Sequence, residues 1–81
     1  MLGSKKEQER SRAIADGMQA ILHDRILQTH DYYVEKSYCP HHIKENVENM
    51  YISYHALGGN GVITAVKNKI IEMPTKIEIR A

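Results

Sequence analysis

The chain has no tryptophan, no phenylalanine and a single cysteine, Cys39, among its 81 residues. One cysteine excludes an internal disulfide and is typical of a reducing compartment. No apolar run approaches the roughly 20 residues of a membrane-spanning helix. After Met1-Leu2 the chain is immediately polar, so we expect no signal peptide. These absences predict one cytosolic globular domain without a membrane segment.

An excess of charge of one sign is also missing. Eleven Lys and Arg against ten Asp and Glu give a net charge of +1, which provides no general attraction to nucleic acid. A chain this short buries a modest share of its surface, so its core is marginal without a metal, a disulfide or a partner. The composition therefore favours a domain that needs a partner.

Helical periodicity dominates the first half of the sequence. Ser4 is a plausible N-cap, and Glu7 three residues later completes a capping box. We predict one helix over residues 5–36, roughly 45 Å long. Residues 1–12 are predicted to form a charged N-terminal extension of the domain that is free to fray. The residues predicted to share its apolar face are Ile14, Ala15, Met18, Ile21, Leu22, Ile26, Thr29, Tyr32 and Tyr33.

Three residues do not fit this single face. Arg25 lies inside the apolar arc, where it either snorkels to solvent or pairs with a glutamate of the second helix. Leu27 and Val34 lie nearly opposite the arc. They are either scattered surface apolar residues or a second contact surface for another subunit or partner, since the helix outruns anything else in the chain that could cover it.

The rest of the domain is predicted to be helical as well. Pro40 ends the first helix and suits the first turn of the second. One side of the second helix carries Ile43, Val47, Met50, Tyr51, Tyr54 and Leu57, and one side of the third carries Ile63, Val66, Ile70 and Met73. We expect an all-α fold: a long helix 1, an antiparallel helix 2 and a short helix 3 in a domain over residues 13–74. A short extended tail follows over residues 75–81.

Glycines mark the connection between helices 2 and 3, Leu57-Gly58-Gly59-Asn60-Gly61. One glycine can take the left-handed conformation that closes helix 2, and Asn60 can cap helix 3. A phosphate loop is the alternative, but a Walker A loop needs Gly-Lys-Ser/Thr at its end, where this chain has Gly61-Val62. We therefore interpret Gly58, Gly59, Asn60 and Gly61 as a structural turn.

Chemical sites are weakly indicated. Cys39, His41 and His42 are close in sequence, yet a zinc site usually combines paired short-spaced motifs, and no second pair exists. Ser53 and His55 would face different sides of helix 2, which does not make a nucleophile and base. We expect no catalytic residues, no metal site and no cofactor, and hence no enzyme.

Contacts with a partner are the remaining candidates. All five aromatic residues are tyrosines, which suit interfaces because they are rigid and amphipathic. Tyr51 and Tyr54 are predicted to lie in the core. The alternating tail resembles a strand, which either frays or pairs with another copy or another protein. The predicted partner-binding residues are Arg25, Leu27, Tyr32, Val34, Tyr38, Ile77 and Ile79.

A family resemblance rests on three segments: Ile21-Leu22-His23-Asp24-Arg25-Ile26, then Tyr54 to Gly61, then Met73-Pro74-Thr75. Together they resemble a group of small, largely uncharacterised proteins of tailed phages and prophages of Gram-positive bacteria. Where this group often has a threonine after the last glycine, the chain has Val62. The resemblance implies a phage origin among late, tail-to-lysis genes, and it implies no particular activity.

The resulting functional hypothesis is a self-associating phage protein, accessory to virion or tail assembly. We expect the protein to lie in the host cytoplasm, where it could associate with the virion. Its expected partners are a second copy of itself and either a phage structural protein or a host protein. Two alternatives stay open: an inhibitor that binds a host enzyme or defence protein, and a small DNA-binding regulator. For the regulator, helix 3 offers only Lys67, Asn68 and Lys69.

Overall fold

A computed structural model describes residues 4–77 of the chain, which form three α-helices. Helix α1 spans Lys5–Lys36, α2 spans His41–Ala56 and α3 spans Val62–Glu72. Within this range there is no β-strand, and none of the helices combines the length and apolarity that a membrane crossing requires. The predicted three-helix, all-α architecture is confirmed, as are the bounds of helix 1.

Local capping explains where α1 begins and ends. The backbone N–H of Glu7 donates to the Ser4 side-chain hydroxyl at 3.2 Å, so Ser4 is the predicted N-cap. At the other end Ser37 adopts a left-handed conformation, with φ of 65°, and its N–H donates to the Val34 carbonyl. Pro40 then stands at the N-cap of α2, and its carbonyl accepts from the N–H of Lys44. The chain thus reverses direction within a few residues.

Helices α1 and α2 form the predicted antiparallel pair. Near the end of α2, Tyr54 lies against His23 in the middle of α1, with ring centroids 6.2 Å apart. Near its beginning, Ile43 borders the same groove as Tyr33, close to the end of α1. Helix α3 packs against both, and the buried core is formed by Ile26, Cys39, Val47, Tyr54, Ile63, Val66 and Ile70. The inward sides predicted for α2 and α3 are confirmed by these residues.

The inward face of α1 differs from the prediction. Ile26 is fully buried, and Leu22, Leu27 and Tyr33 pack partly against the core. Four members of the predicted apolar face point to solvent instead: Ile14, Met18, Ile21 and Tyr32. The prediction assumed that all apolar residues of the helix serve one face. In the structure α2 and α3 cover only the side around Ile26, and a second apolar side remains exposed.

The glycine turn closes α2 as a Schellman motif. Gly58, with φ of 98°, donates its N–H to the His55 carbonyl, and Gly59 donates to the Tyr54 carbonyl, both at 2.9 Å. Gly59 lies so close to the Tyr54 ring that an added Cβ would overlap it. The prediction that Asn60 caps α3 is wrong, since the N-cap is Gly61, with φ of 77° and no side-chain cap. The Asn60 carbonyl instead accepts from the Tyr54 hydroxyl at 3.4 Å.

Lys44 fixes the end of α3 against α2. Its ammonium donates to the Ile71 carbonyl at 2.9 Å and to the Met73 carbonyl, two acceptors that the end of α3 leaves without helical partners. The helical pattern alone places Lys44 on the solvent side of helix 2, but the end of α3 lies there. The Cys39 N–H also donates to the Pro74 carbonyl at 2.8 Å. Residues 73–77 are not helical, as predicted for the tail, and Ile79 lies outside the described residues.

Gly59→Ala should destabilise the protein more than Gly58→Ala. At Gly59 the new methyl group would overlap the Tyr54 ring, and relief of such overpacking typically costs about 1–3 kcal/mol. At Gly58 the space is open and the cost is the strained backbone, about 1 kcal/mol. Urea unfolding followed by circular dichroism measures both. Equal unfolding midpoints for Gly59→Ala and the unmodified chain would show that the Tyr54 contact does not hold this turn.

Candidate interaction surface

One side of α1 carries a continuous row of exposed residues, which we call the α1 seam: Ile14, Met18, Ile21, Arg25, Gln28 and Tyr32. The steps between them alternate between four and three residues, which is the a/d spacing of a coiled coil. The four apolar members are between 52% and 68% exposed. Single exposed apolar residues are common, but a row with this spacing on one helix is a surface that fits another helix.

The length of α1 explains why the seam is uncovered. Helix α1 has 32 residues, whereas α2 has 16 and α3 has 11. At 1.5 Å per residue these lengths are about 48, 24 and 16 Å, so the two short helices can cover only part of α1. Residues 5–14 are all exposed. A helical segment without tertiary contacts is marginally stable in water, so this first third of α1 would gain from a partner.

The sequence prediction did not identify Ile14, Met18 and Ile21 as surface residues, because it assigned them to the inward face of α1. Two signals in the sequence could have identified them. Their alternating spacing continues through Arg25 and Gln28, two polar residues that suit an exposed seam better than a core. The predicted helix was also too long for its two partners to cover.

The predicted partner-binding residues are distributed over different surroundings. Tyr32 and Val34 are exposed, at 57% and 47%, and Ile77 at 60%. Tyr38 is half-buried, and Leu27 packs partly against the chain's own core. Tyr32 belongs to the α1 seam, whereas Leu27 and Val34 lie elsewhere on α1. The structure therefore does not bring the predicted set together on one surface.

Tyrosine rings gather at the end of α1. Tyr32 and Tyr33 meet edge to face with centroids 4.8 Å apart, and Tyr33 meets Tyr38 in the same way at 6.2 Å. The Lys36 ammonium lies 4.8 Å from the centre of the Tyr32 ring. These contacts orient Tyr32 within the seam while leaving more than half of it open to solvent.

Arg25 does not form an ion pair with a glutamate of helix 2, one of its two predicted arrangements, since the described residues contain no ion pair of Arg25. Its exposed side chain borders a groove between α1 and α2, next to Asn46 and Met50. The other expectation, a side chain that reaches solvent, matches its exposure. The guanidinium group is thus accessible to a charged group from outside the chain.

Chemically reactive groups do not assemble into a site in the described part of the chain. Among residues 4–77, no three His, Cys, Asp or Glu side chains come together in a way that could hold a metal ion. His41 pairs with Glu45 at 3.0 Å on the surface of α2, while Cys39 is fully buried. Burial raises the pKa of the Cys39 thiol, and the nearby Lys44 opposes this shift only in part. A protonated, inaccessible thiol is a poor nucleophile.

The grooves of the surface are open and shallow. One of about 340 Å³ is lined by Asp16, His23, Asp24 and Tyr54, among others. In it the His23 ring contacts the neighbouring Asp24 at 3.3 Å, and both side chains are substantially exposed. An exposed pair of sequence neighbours lacks the desolvation that tunes catalytic acids and bases. The absence of an enzymatic activity stays a prediction.

Helix α3 is poorly suited to reading DNA. The Lys67 ammonium pairs with Glu48 at 3.2 Å and lies 4.7 Å from the centre of the Tyr51 ring. The side chain of Lys67 is thereby engaged within the chain. Val62, at the start of α3 where a recognition helix meets base edges, is apolar. The DNA-binding alternative therefore finds little support on this helix.

The buried state of Cys39 predicts slow thiol chemistry. A disulfide reagent such as DTNB needs both access and a thiolate, so we expect native protein to react far more slowly than protein in urea. Burial raises the pKa of the Cys39 thiol in the folded protein. The contribution of this thiol to the free energy of unfolding should therefore be present below the pKa it has in the unfolded chain, and be lost as the pH rises through the pKa it has in the folded protein. The absorbance of the thiolate that DTNB releases measures the rate of the reaction. Labelling of native protein at the unfolded rate would show that Cys39 is not enclosed.

No protein-family model, curated protein or solved structure matches this chain. The resemblance to phage proteins consequently stays a prediction. The surface of the molecule is therefore the basis for a functional proposal, and the α1 seam, with its alternating four- and three-residue spacing, is the most regular feature of that surface.

Proposed function

We propose that this chain is a non-enzymatic interaction module that self-associates through the α1 seam and serves as an accessory factor in the assembly of a phage virion or tail. The single observation that carries the self-association is the row of exposed apolar residues at coiled-coil spacing. Such a row on a helix longer than its intramolecular partners is complementary to a second copy of itself.

The energetics favour a reversible dimer. Full burial of a large apolar side chain contributes about 1.5–3 kcal/mol, so covering the exposed half of one contributes about 1 kcal/mol. Three such side chains, Ile14, Met18 and Ile21, in each of two copies give about 6 kcal/mol in total. This gain is of the same order as the cost of association, about 4–15 kcal/mol. Contacts with the partner would also stabilise the exposed residues 5–14 of α1, which favours the dimer. The population of such a dimer depends on protein concentration.

The assignment to a phage is supported by the resemblance of three segments, residues 21–26, 54–61 and 73–75, to phage proteins. The assignment to assembly, as opposed to catalysis, is supported by two observations. The His23–Asp24 pair is exposed, and the groove that contains it is open to solvent. Virion components commonly work by repeated contacts between identical copies, which is what a self-complementary helix face provides.

Ile21→Glu should abolish self-association, whereas Ile52→Glu should not. The two isoleucines are similarly exposed, at 68% and 62%, but Ile21 lies in the α1 seam and Ile52 on the outer side of α2. A buried carboxylate in the seam would be strongly unfavourable. Sedimentation velocity over a range of protein concentrations measures the outcome, with circular dichroism to verify that both variants stay helical.

A chain that sediments as a monomer at high micromolar concentration would overturn the proposal of self-association. Equal loss of dimer in both variants would instead show that a surface other than the α1 seam mediates it.

A tagged copy of the chain should capture a phage structural protein from a lysate of infected cells. An interaction module for assembly must contact the structure being assembled, so mass spectrometry of the captured material should identify a tail or capsid component. The Ile21→Glu variant, which disrupts the α1 seam, is the matched control for nonspecific adhesion. Selective capture of a host enzyme would contradict the assembly role and favour the inhibitor alternative.

A further inference from the structure

The charges along the α1 seam discriminate between the two ways in which a second copy of α1 can lie against the first. In a parallel pair each residue of the seam meets its own counterpart, so Arg25 would face the partner's Arg25. Two guanidinium groups in the middle of an apolar seam repel each other, and no acidic residue of the seam could neutralise both. A parallel arrangement is therefore disfavoured.

An antiparallel pair avoids this conflict. When Ile14 lies opposite the partner's Met18, the same two-fold symmetry places Ile21 opposite the partner's Ser11 and Arg25 opposite the partner's Glu7. Glu7 and Ser11 continue the alternating spacing of the seam toward the N-terminus and are exposed. Ile14 and Met18 of the two copies then meet in the centre of the interface, with Ile21 beside them, and each Arg25 meets a carboxylate at either end.

A second charged pair supports the same register. Arg10 and Asp24 flank the seam on one side of α1, at the positions that meet across an antiparallel interface. In the register above, Asp24 lies next to the partner's Arg10. The described residues contain no ion pair of Glu7, Arg10 or Arg25 within the chain. Three side chains without an intramolecular partner thus acquire one, and two-fold symmetry makes every pair occur twice.

Gly17 provides an independent indication of a closely approaching helix. Glycine in the middle of a helix is unfavourable compared with alanine, and nothing in the chain lies within 4 Å of a Cβ added at Gly17. Packing within one copy therefore does not require a glycine. In the antiparallel register Gly17 faces the partner's Gly17 at the two-fold axis, where a missing side chain lets the two backbones approach.

Other antiparallel registers lose these advantages. A shift of one helix by one heptad again brings seam residues opposite each other. It places Arg25 opposite the partner's Ile14 and Glu7 opposite the partner's Tyr32. Each guanidinium group would then lie against an aliphatic side chain without a carboxylate, which is costly. The register with Gly17 at the two-fold axis is the one that pairs both Arg25 and Asp24.

From these observations we infer that two copies of the chain associate through α1 as an antiparallel pair, with Gly17 at the two-fold axis and ion pairs of Arg25 with Glu7 and of Asp24 with Arg10 between subunits. This inference rests on the proposed self-association and adds its orientation and register. It also gives a function to the exposed residues 5–14, which cover the part of the partner's seam around position 25.

Charge exchange tests the orientation. Arg25→Glu and Glu7→Arg, each alone, place like charges together at both ends of the antiparallel interface, so the dissociation constant of the dimer should rise by at least about tenfold. The double variant with both changes restores opposite charges and should recover most of the affinity. Sedimentation equilibrium at about 0.05 M salt, where screening is weak, measures all four proteins.

Matched controls separate the pairing from general charge effects. Glu9→Arg changes the charge of the first turns of α1 as Glu7→Arg does, and Arg12→Glu reverses a neighbouring cation, but both positions lie outside the seam. Neither control should change the dissociation constant more than about twofold, as is usual for single exposed charges. Circular dichroism verifies that every variant keeps the helix content of the unmodified chain.

The outcomes are distinguishable. In a parallel dimer like charges would face each other at both positions in the unmodified chain and in every variant, so all four proteins should associate about equally tightly. That result would overturn the orientation while self-association stands. Single variants that are weakened with no recovery in the double variant would overturn the register. Absence of any dimer in the unmodified chain would overturn both this inference and the proposed function.

Cross-linking gives a second, direct measurement. In the antiparallel register the two copies of residue 25 lie about 27 Å apart along the axis, whereas residue 25 faces residue 7 of the other copy. A short bifunctional thiol cross-linker should therefore join Arg25→Cys to Glu7→Cys when the two proteins are mixed, and should join neither variant to itself. Cys39 is fully buried and should stay unmodified. Efficient cross-linking of Arg25→Cys to itself would show a parallel pair and overturn the inference.

Discussion

The mismatch in length between α1 and its two partner helices determines most of what this molecule can do. Helix α1 has 32 residues, and α2 and α3 together bury only the side of it around Ile26. The connections enforce this arrangement: Ser37 turns the chain back sharply, and the Gly58–Gly59 turn closes α2 against Tyr54. Within residues 4–77, α2 and α3 leave a second apolar side of the long helix uncovered, and this exposed side is the basis of the proposed function.

The compact part of the domain is held by contacts between elements that are distant in sequence. Lys44 donates to the last carbonyls of α3, the Cys39 N–H donates to the Pro74 carbonyl, and the Tyr51 hydroxyl lies 2.6 Å from that of Thr64. Each satisfies a polar group at the rim of a small apolar core, and no buried side-chain polar atom of the described residues lacks a partner. These contacts hold α2 and α3 together on one side of α1, and the other side of α1 stays free to contact another helix.

Charge gives this surface an orientation that apolar contact alone cannot provide. A row of apolar side chains would accept a second helix in several registers and both directions. Arg25 in the middle of the row penalises the parallel direction, while Glu7, Arg10 and Asp24 favour one antiparallel register. The polar residues thus act on specificity, and the apolar residues supply the free energy of association.

The sequence alone determined the three helices, the cap at Ser4, the closure of α2 by glycine and the inward sides of α2 and α3, because caps, glycines and short amphipathic helices are set by neighbouring residues. It could not determine which side of α1 is buried. Ile14, Met18 and Ile21 are as apolar as Leu22 and Ile26, so helical periodicity merges two adjacent faces into one broad arc. It also places Leu27, which packs partly against the core, opposite that arc. Only the tertiary structure decided between them, since the short turns direct α2 and α3 onto Ile26 and leave the α1 seam in solvent.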